Sequence, residues 1–299
     1  MDQYHVPVLL EESIEGLKIQ PGGTYVDVTY GGGGHSAKIL ERLEGGKLIA
    51  FDQDVDARAN LPKDERLIFV RHNFKYIRHF LHYYQIGQVD GILADLGVSS
   101  HDFDVPDRGF SFRYKGNLDM RMNQSASLDA AKVVNEYNEE DLGKIFREYG
   151  EINNWRNLAS AIAYARSNGP IISTDQFLKV IASCVPAKIE KKYLAMVFQA
   201  LRIEVNNEIG VLIDFLESTT ELLKPGGRLV VLSYHSLEDR IVKNFMRSGK
   251  IDGVQENDFF GNRTSPFELI NRKIITPGEA EIARNPRARS GKLRIAEKR

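Results

Sequence analysis

The chain has 299 residues, of which 42% are hydrophobic and 27% charged, and its formal net charge is −1. These values are typical of a soluble globular protein and exclude a polycation. The single cysteine, Cys184, excludes an intrachain disulfide and a cysteine-rich zinc site. No apolar run approaches the ~18 residues of a membrane span, and the N-terminus lacks a signal-peptide pattern, so we expect a cytoplasmic protein without membrane association.

Strand and helix patterns alternate through the first hundred residues. The predicted strands are 24–29, 47–52, 66–70 and 89–95, and the predicted helices between them are 36–43, 55–60 and 74–85. Such alternation predicts a parallel β-sheet with helices on both faces. Because ligands of these sheets bind beyond the carboxyl ends of the strands, residues at the strand ends are the first candidates for a functional site.

Four consecutive glycines, 31–34, lie between the first predicted strand and the first predicted helix. Glycine allows a tight reversal and lets a ligand approach the backbone. The turn fits the alanine variant of the dinucleotide-binding pattern, but a carboxylate at its start would repel a pyrophosphate and suits a cationic ligand, such as a sulfonium with an α-ammonium group. The predicted cofactor-binding residues of this turn are Asp27, Gly31, Gly33, Gly34 and His35, although His35 could instead pack against the edge of the sheet.

Further candidates follow the later strands. Asp52 stands about twenty residues after the glycines, where an acid can accept the hydroxyls of an adenosine ribose, and this holds for a nicotinamide cofactor as well. Phe74 is predicted to flank the adenine, although core packing explains it equally. Asp95 could hold a substrate amine or contact the amino end of the cofactor. His235 is a candidate substrate contact, and helix capping is its competing interpretation.

The middle of the chain departs from the alternating pattern. Residues 97–125 form a long loop with interleaved phenylalanines and arginines, which indicates a functional segment because disordered segments are poor in aromatics. Arg113 and Arg121 are our preferred substrate contacts in this loop. From 127 to 223 the pattern is helical, with predicted caps at Asn138 and Ser173.

Strand patterns resume after residue 226, with predicted strands at 228–234, 272–276 and 293–296. Seven basic residues and one acid lie between Arg284 and Arg299. An extended segment after Pro286 would send Arg287 and Arg289 to one side. This suits either phosphate binding or a clamp onto the folded core.

Several runs resemble one known family in the same order along essentially the whole chain. They are 5–10, 27–35, 95–100, 108–112, 118–122, 198–203, 235–240 and 285–290. Each run is weak alone, but eight in sequence are specific. The chain is similar to the RsmH (MraW) family of bacterial 16S rRNA (cytosine-N4)-methyltransferases.

This resemblance implies a Rossmann-like class I methyltransferase fold with an inserted all-helical domain. The expected divisions are a methyltransferase core at 1–110 and 216–299, the latter with the basic C-terminal segment, and a helical RNA-recognition domain at 111–215. It also implies S-adenosylmethionine as methyl donor and a cytidine in the decoding region of 16S rRNA, within the small subunit, as substrate. The implied cofactor contacts are Gly33, Gly34, His35, Asp52, Phe74, Asp95 and Asp102.

Two positions depart from the family pattern. Asp102 replaces a common glutamine and can accept but not donate a hydrogen bond when ionised. Met196 and Val197 stand where many members have an arginine, so one contact of the helical domain with RNA is in doubt.

The expected mechanism is direct methyl transfer to the cytosine amine, with Asp95 as the catalytic residue and no metal. Two alternatives remain at this point. One is a nicotinamide-dependent oxidoreductase, which the acid at Asp27 and the lack of a hydride-site pattern disfavour. The other is a non-catalytic RNA-binding assembly factor with the same fold, which the intact acids at the strand ends disfavour.

Overall fold

The computed structural model describes residues 7–98, 103–261 and 263–299, with the backbone alone at Arg263. The chain divides into two compact units, Met1–Gly97 with Gly210–Arg299, and Val98–Ile209. The divisions expected from the family resemblance lie after residues 110 and 215, whereas the compact units divide after residues 97 and 209. Asp102, an expected cofactor contact, lies outside the described residues.

The first unit is built on a seven-stranded sheet of order β3-β2-β1-β4-β5-β9-β8, and the short strands β6 and β7 pair separately. The strands are β1 (Thr24–Asp27), β2 (Lys47–Phe51), β3 (Leu67–Val70), β4 (Val89–Asp95), β5 (Leu223–Ser233), β6 (Glu256–Asn257), β7 (Arg263–Thr264), β8 (Phe267–Leu269) and β9 (Lys292–Lys298). Strands β1 to β5 are parallel, and β9 is antiparallel to β5. This arrangement confirms the predicted Rossmann-like fold, and the strand order reverses between β1 and β4, where such sheets bind ligands.

The helices lie before, between and after these strands. They are α1 (Leu10–Leu17), α2 (Gly34–Arg42), α3 (Ile77–Tyr83), α4 (Ala130–Glu136), α5 (Glu139–Glu148), α6 (Trp155–Arg166), α7 (Thr174–Ile181), α8 (Glu190–Asn206), α9 (Glu208–Leu222), α10 (Ser236–Ser248) and α11 (Glu279–Arg284). Within the described ranges, no helix has both the length and the apolarity that crossing a bilayer requires.

The second unit is helical and has its own core. Phe146 and Phe177 are fully buried in it and Phe198 nearly so. Both predicted caps are confirmed, because Asn138 accepts from the backbone of Asp141 and Ser173 forms a reciprocal capping box with Gln176. These caps satisfy backbone N–H groups that would otherwise lack partners.

The C-terminal part of the sheet differs from the sequence prediction. The predicted strand 272–276 is wrong, since Ile275 makes only an isolated bridge with Leu293 and β8 occupies the edge instead. The reason is burial: Phe267 in β8 packs against Phe245 of α10, with ring centroids 5.5 Å apart. The segment after Pro286 is also not extended but forms a 3₁₀ turn, Pro286–Ser290.

Candidate active site

The glycine-rich turn joins the end of β1 to the start of α2. Gly31 and Gly33 have φ values of 52° and 78°, a region that favours glycine. A Cβ on Gly33 would lie 2.5 Å from Tyr30 Oη, and one on Gly34 would lie 2.8 Å from Pro7 Cγ. The turn therefore requires glycine for its backbone conformation at Gly31 and Gly33 and for close packing at Gly33 and Gly34.

Gly33 offers a test of this packing against a matched control. Gly45 has a similar φ of 88°, but a Cβ there meets nothing within 4 Å. We expect Gly45→Ala to lower the free energy of unfolding by about 1 kcal/mol and Gly33→Ala by about 2–3 kcal/mol, because only the latter adds a clash to the left-handed strain. Urea denaturation of both variants measures the difference, and equal losses would contradict the packing described.

Asp27 ends β1 and is almost completely buried. Its Oδ2 accepts from Ser36 Oγ at 2.6 Å and its Oδ1 from the Thr29 amide at 3.1 Å. Burial raises the pKa of Asp27 above its usual value. The carboxyl group thus holds the first turn of α2 against the strand end, and when ionised it adds negative charge beside the glycines.

His35 lies in the first turn of α2 and is buried. Its Nε2 is 3.2 Å from the Val8 carbonyl oxygen, and its Nδ1 is 3.7 Å from Asp95 Oδ2, too long for a direct hydrogen bond. Burial lowers the pKa of the imidazole. Burial thus favours the neutral imidazole, which lies between the N-terminal segment and the end of β4.

Asp52 follows β2 and faces the glycine-rich turn. Its Oδ2 accepts from the Gly31 amide at 2.7 Å and its Oδ1 from the Asp54 amide at 2.8 Å. Burial raises the pKa of Asp52 to about 6. Each carboxylate oxygen keeps a second lone pair, so the group retains acceptor capacity for hydroxyl donors of a ligand.

Asp95 ends β4, between the ends of β1 and β5. Its amide donates to Thr29 Oγ1 at 2.7 Å, and its Oδ1 accepts from Tyr234 Oη at 2.6 Å. The Asp95 side chain is 12% exposed. Burial and the Asp95 charge raise the pKa of Tyr234 well above its usual range, so the phenol stays protonated and donates to the carboxylate. The phenol of Tyr234 thus orients the Asp95 carboxylate, and Thr29 holds the Asp95 backbone.

Two other predicted contacts have internal roles in the structure. Phe74 packs against the core, with its ring centroid 5.3 Å from that of Phe215. His235 is the N-cap of α10: its Nδ1 accepts from the Glu238 amide at 3.4 Å, and its Nε2 is 3.2 Å from Glu238 Oε1. Core packing and helix capping were the competing interpretations of these residues, and ligand contact stays a prediction for both.

Arg113 and Arg121 lie in the helical unit. Arg113 is exposed. Arg121 donates from Nε and Nη2 to the two carboxylate oxygens of Asp119, at 2.9 and 2.6 Å. Its Nη1 donates to the carbonyls of Gln124 and Ala126. The guanidinium of Arg121 thus supports the loop from within, and Arg113 is the better candidate for an RNA contact.

Sequence reasoning missed three side chains that organise the strand ends, namely Thr29, Ser36 and Tyr234. A signal existed for each of them. Ser36 stands in the first helical turn after the glycines, Thr29 is two residues after Asp27, and Tyr234 follows the strand beside β4 in a doubly wound sheet. Each lies within reach of a carboxylate once the strand order is known.

Comparison with known proteins places this geometry in a family. The model of the MraW methylase family matches residues 2–299. The chain belongs to this family. Curated relatives named ribosomal RNA small subunit methyltransferase H occur in Bacteroides thetaiotaomicron, Phocaeicola vulgatus and Flavobacterium johnsoniae, at 60%, 59% and 55% identity. Each alignment covers 99% of this chain and 98% of the relative.

Membership in the MraW methylase family agrees with the chemistry of the strand ends. S-adenosylmethionine is the methyl donor of the family, and it carries a sulfonium and an α-ammonium group. Asp27, Asp52 and Asp95 follow three adjacent strands around a turn that excludes Cβ atoms, an arrangement that fits a cationic ligand held close to the backbone. The protein is therefore a methyltransferase, and the nicotinamide alternative has no support.

Proposed function

We propose that this protein transfers a methyl group to the N4 amino group of a cytidine in the decoding region of 16S rRNA, within the small ribosomal subunit in the bacterial cytoplasm. The names of its relatives support small-subunit rRNA as the substrate. The observation that carries the choice of an amine is the Asp95 carboxylate, held by Tyr234 at the end of β4 beside the glycine-rich turn.

The chemistry of cytosine explains why a fixed carboxylate matters. The lone pair of the 4-amino group is conjugated into the ring, so the amine is a poor nucleophile. S-adenosylmethionine, when bound, supplies an electrophilic sulfonium methyl group. Asp95 would accept a hydrogen bond from an N–H of the amine while the nitrogen rehybridises, and the protein's contribution is mainly this positioning.

The donor would be held by the turn and by Asp52. Without side chains, the turn Gly31–Gly34 would let the amino-acid end lie near the backbone, and Asp52 has acceptor capacity for the ribose hydroxyls. Asp27 is engaged by Ser36 and Thr29, so it would act through its charge and through the shape of the turn.

The target base must be single-stranded or turned out of its helix to reach such a site. The exposed Arg113 offers a guanidinium of the kind that RNA-binding proteins use to stack bases, whereas the neighbouring Phe112 packs against Phe198. His235 stays a candidate contact at the end of β5, although its side chain is only 8% exposed and its Nδ1 is used in capping.

Tyr234 gives a direct test of how Asp95 is oriented. We expect Tyr234→Phe to lower kcat about tenfold, because it removes one hydrogen bond to a charged group, worth ~1.5 kcal/mol, without altering ring packing. The Kd for S-adenosylmethionine should stay within twofold. Steady-state kinetics measure kcat and calorimetry measures the Kd. An unchanged kcat would show that the orientation of the Asp95 carboxylate does not depend on the phenol of Tyr234.

The proposed activity is tested by incubating the protein with labelled S-adenosylmethionine and undermethylated small subunits, naked 16S rRNA or free cytidine. We expect transfer to RNA in the subunit and little or none to free cytidine, because the nucleoside lacks the contacts that position the base. Binding of subunits without any methyl transfer would favour the assembly-factor alternative instead.

A further inference from the structure

The basic segment near the C-terminus forms an arginine turn, which we define as Arg284 at the end of α11 together with the 3₁₀ turn Pro286–Ser290. Arg284, Arg287 and Arg289 are all exposed. Ala288, between the last two, is completely buried. The sequence left open whether this segment binds phosphate or clamps onto the core, and the structure assigns the clamping to Ala288 and leaves the arginines at the surface.

The backbone of the arginine turn is held by hydrogen bonds and by one buried side chain. The Asn285 side chain accepts from the Arg287 amide at 3.2 Å, and the Gly291 amide donates to the Ala288 carbonyl at 2.7 Å. Ala288 belongs to the same core cluster as Val8 and Leu9. The three guanidinium groups are therefore presented from an ordered backbone, which reduces the entropy lost when they bind a ligand.

A short N-terminal segment, 7–9, links the arginine turn to the glycine-rich turn. The Leu9 amide donates to Glu281 Oε1 of α11 at 2.8 Å, and the Val8 carbonyl oxygen is 3.2 Å from His35 Nε2. The Pro7 ring packs on Gly34, and a Cβ on Gly291 would lie 3.0 Å from Val8 Cγ1. The arginine turn thus lies beside the carboxyl ends of the parallel strands, where the methyl donor would bind.

Acidic residues lie at the start of α11 and basic residues lie at its end and in the following turn. Glu279 and Glu281 stand in the first turn of α11, where Glu281 is engaged by the Leu9 amide, and the arginines stand at its end and beyond. Exposed guanidinium groups match phosphate oxygens in both charge and geometry. An acidic protein would also supply negative charge, but the proposed reaction requires an RNA strand at this edge of the sheet.

We propose that Arg284, Arg287 and Arg289 bind backbone phosphates of the rRNA strand that carries the target base, and so hold that strand at the edge of the donor site. This inference rests on the proposed function only in taking rRNA as the substrate. It assigns to the arginine turn a positioning role that depends on charge and not on base sequence.

The test compares two triple variants with the same change in charge. The first replaces Arg284, Arg287 and Arg289 by glutamine. The control replaces Arg42, Lys47 and Lys63, which are exposed at the end of α2, the start of β2 and the loop before β3, on the amino-end side of the sheet. The Kd values for a naked 16S rRNA fragment and for whole small subunits are measured across salt concentrations, without methyl donor.

We expect the arginine-turn variant to bind both RNAs at least about tenfold more weakly near 0.1 M salt. The slope of log K against log salt should fall by about 2–3, since each lost phosphate contact removes about one unit. The control should stay within about threefold of the wild type. The Kd for S-adenosylmethionine and the midpoint of thermal unfolding should not change in either variant. If a triple variant unfolds, the test is repeated with the single substitutions.

Equal weakening in both triple variants, or an unchanged salt slope, would overturn the inference. So would a loss confined to whole subunits, because the contact would then be to a ribosomal protein. These outcomes are independent of the methylation assay. If the wild type methylates cytidine and the triple variant binds RNA normally, only the inference about the arginine turn is refuted. If the three arginines are needed for RNA binding but the wild type transfers no methyl group, only the proposed reaction is refuted.

Discussion

Replacement of Asp95 by alanine is expected to lower the rate of methyl transfer by about 100- to 1000-fold, the usual cost of removing one preorganised hydrogen-bonding group from a reaction site. The carboxylate is oriented by Tyr234 and its backbone by Thr29, so no other acceptor on β4 can take its place without moving the strand end. Single-turnover transfer from labelled S-adenosylmethionine to small subunits measures the loss.

Asp95→Asn is the matched control, because it keeps the size of the side chain and removes the charge. We expect a loss of similar order, with donor affinity within about threefold of the wild type in both variants. If donor binding falls as steeply as the rate, Asp95 serves the amino end of the cofactor instead, which is the alternative that sequence alone left open. A rate within threefold of the wild type would remove Asp95 from the mechanism.

Replacement of Asp52 by alanine is expected to weaken S-adenosylmethionine binding by about 100-fold or more. Hydrogen bonds from hydroxyls to a charged acceptor contribute about 1.5–3 kcal/mol each, and two of them account for this factor. The variant also loses the acceptor for the Gly31 amide, which shapes the turn. Calorimetry measures the Kd, and a loss below about threefold would place the ribose elsewhere.

The raised pKa of Asp52 adds a pH dependence. Because burial raises this pKa from 3.8 to about 6, the folded apoprotein protonates Asp52 as the pH falls through 6, and donor affinity should decrease between pH 7 and 5. Asp52→Asn should bind weakly and lack this step. Protein stability should change with pH in the opposite direction to donor affinity. The folded state binds the Asp52 proton more tightly than the unfolded state does, so the contribution of Asp52 to the free energy of unfolding falls as the pH rises from about 4 to 6.

The fold was predictable because its signals are local. Alternating strand and helix patterns placed β1 to β4 within one to two residues, and the glycines marked the turn that follows β1. The edge of the sheet was not predictable in this way. Phe267 is buried against Phe245, a contact between distant parts of the chain, and that burial rather than a strand pattern sets the position of β8.

The candidate site shows the same limit. The three acids at the strand ends were identifiable, but their hydrogen-bond partners depend on which strands are neighbours. Tyr234 reaches Asp95 across 139 positions of sequence. Arg121 pairs with Asp119 only two positions away, but its bonds to the carbonyls of Gln124 and Ala126 depend on how the loop turns. Residue type and spacing thus locate candidate groups, and tertiary packing decides which of them stay available to a ligand.

The most direct test of the proposed reaction is nucleoside analysis of small subunits after incubation with isotopically labelled S-adenosylmethionine and this protein. The account predicts one labelled nucleoside, N4-methylcytidine, mapping to a single position in the decoding region of 16S rRNA. Label on the cytosine C5 carbon, on a ribose hydroxyl or on a purine would contradict the assignment of Asp95 as the acceptor for a cytosine amine.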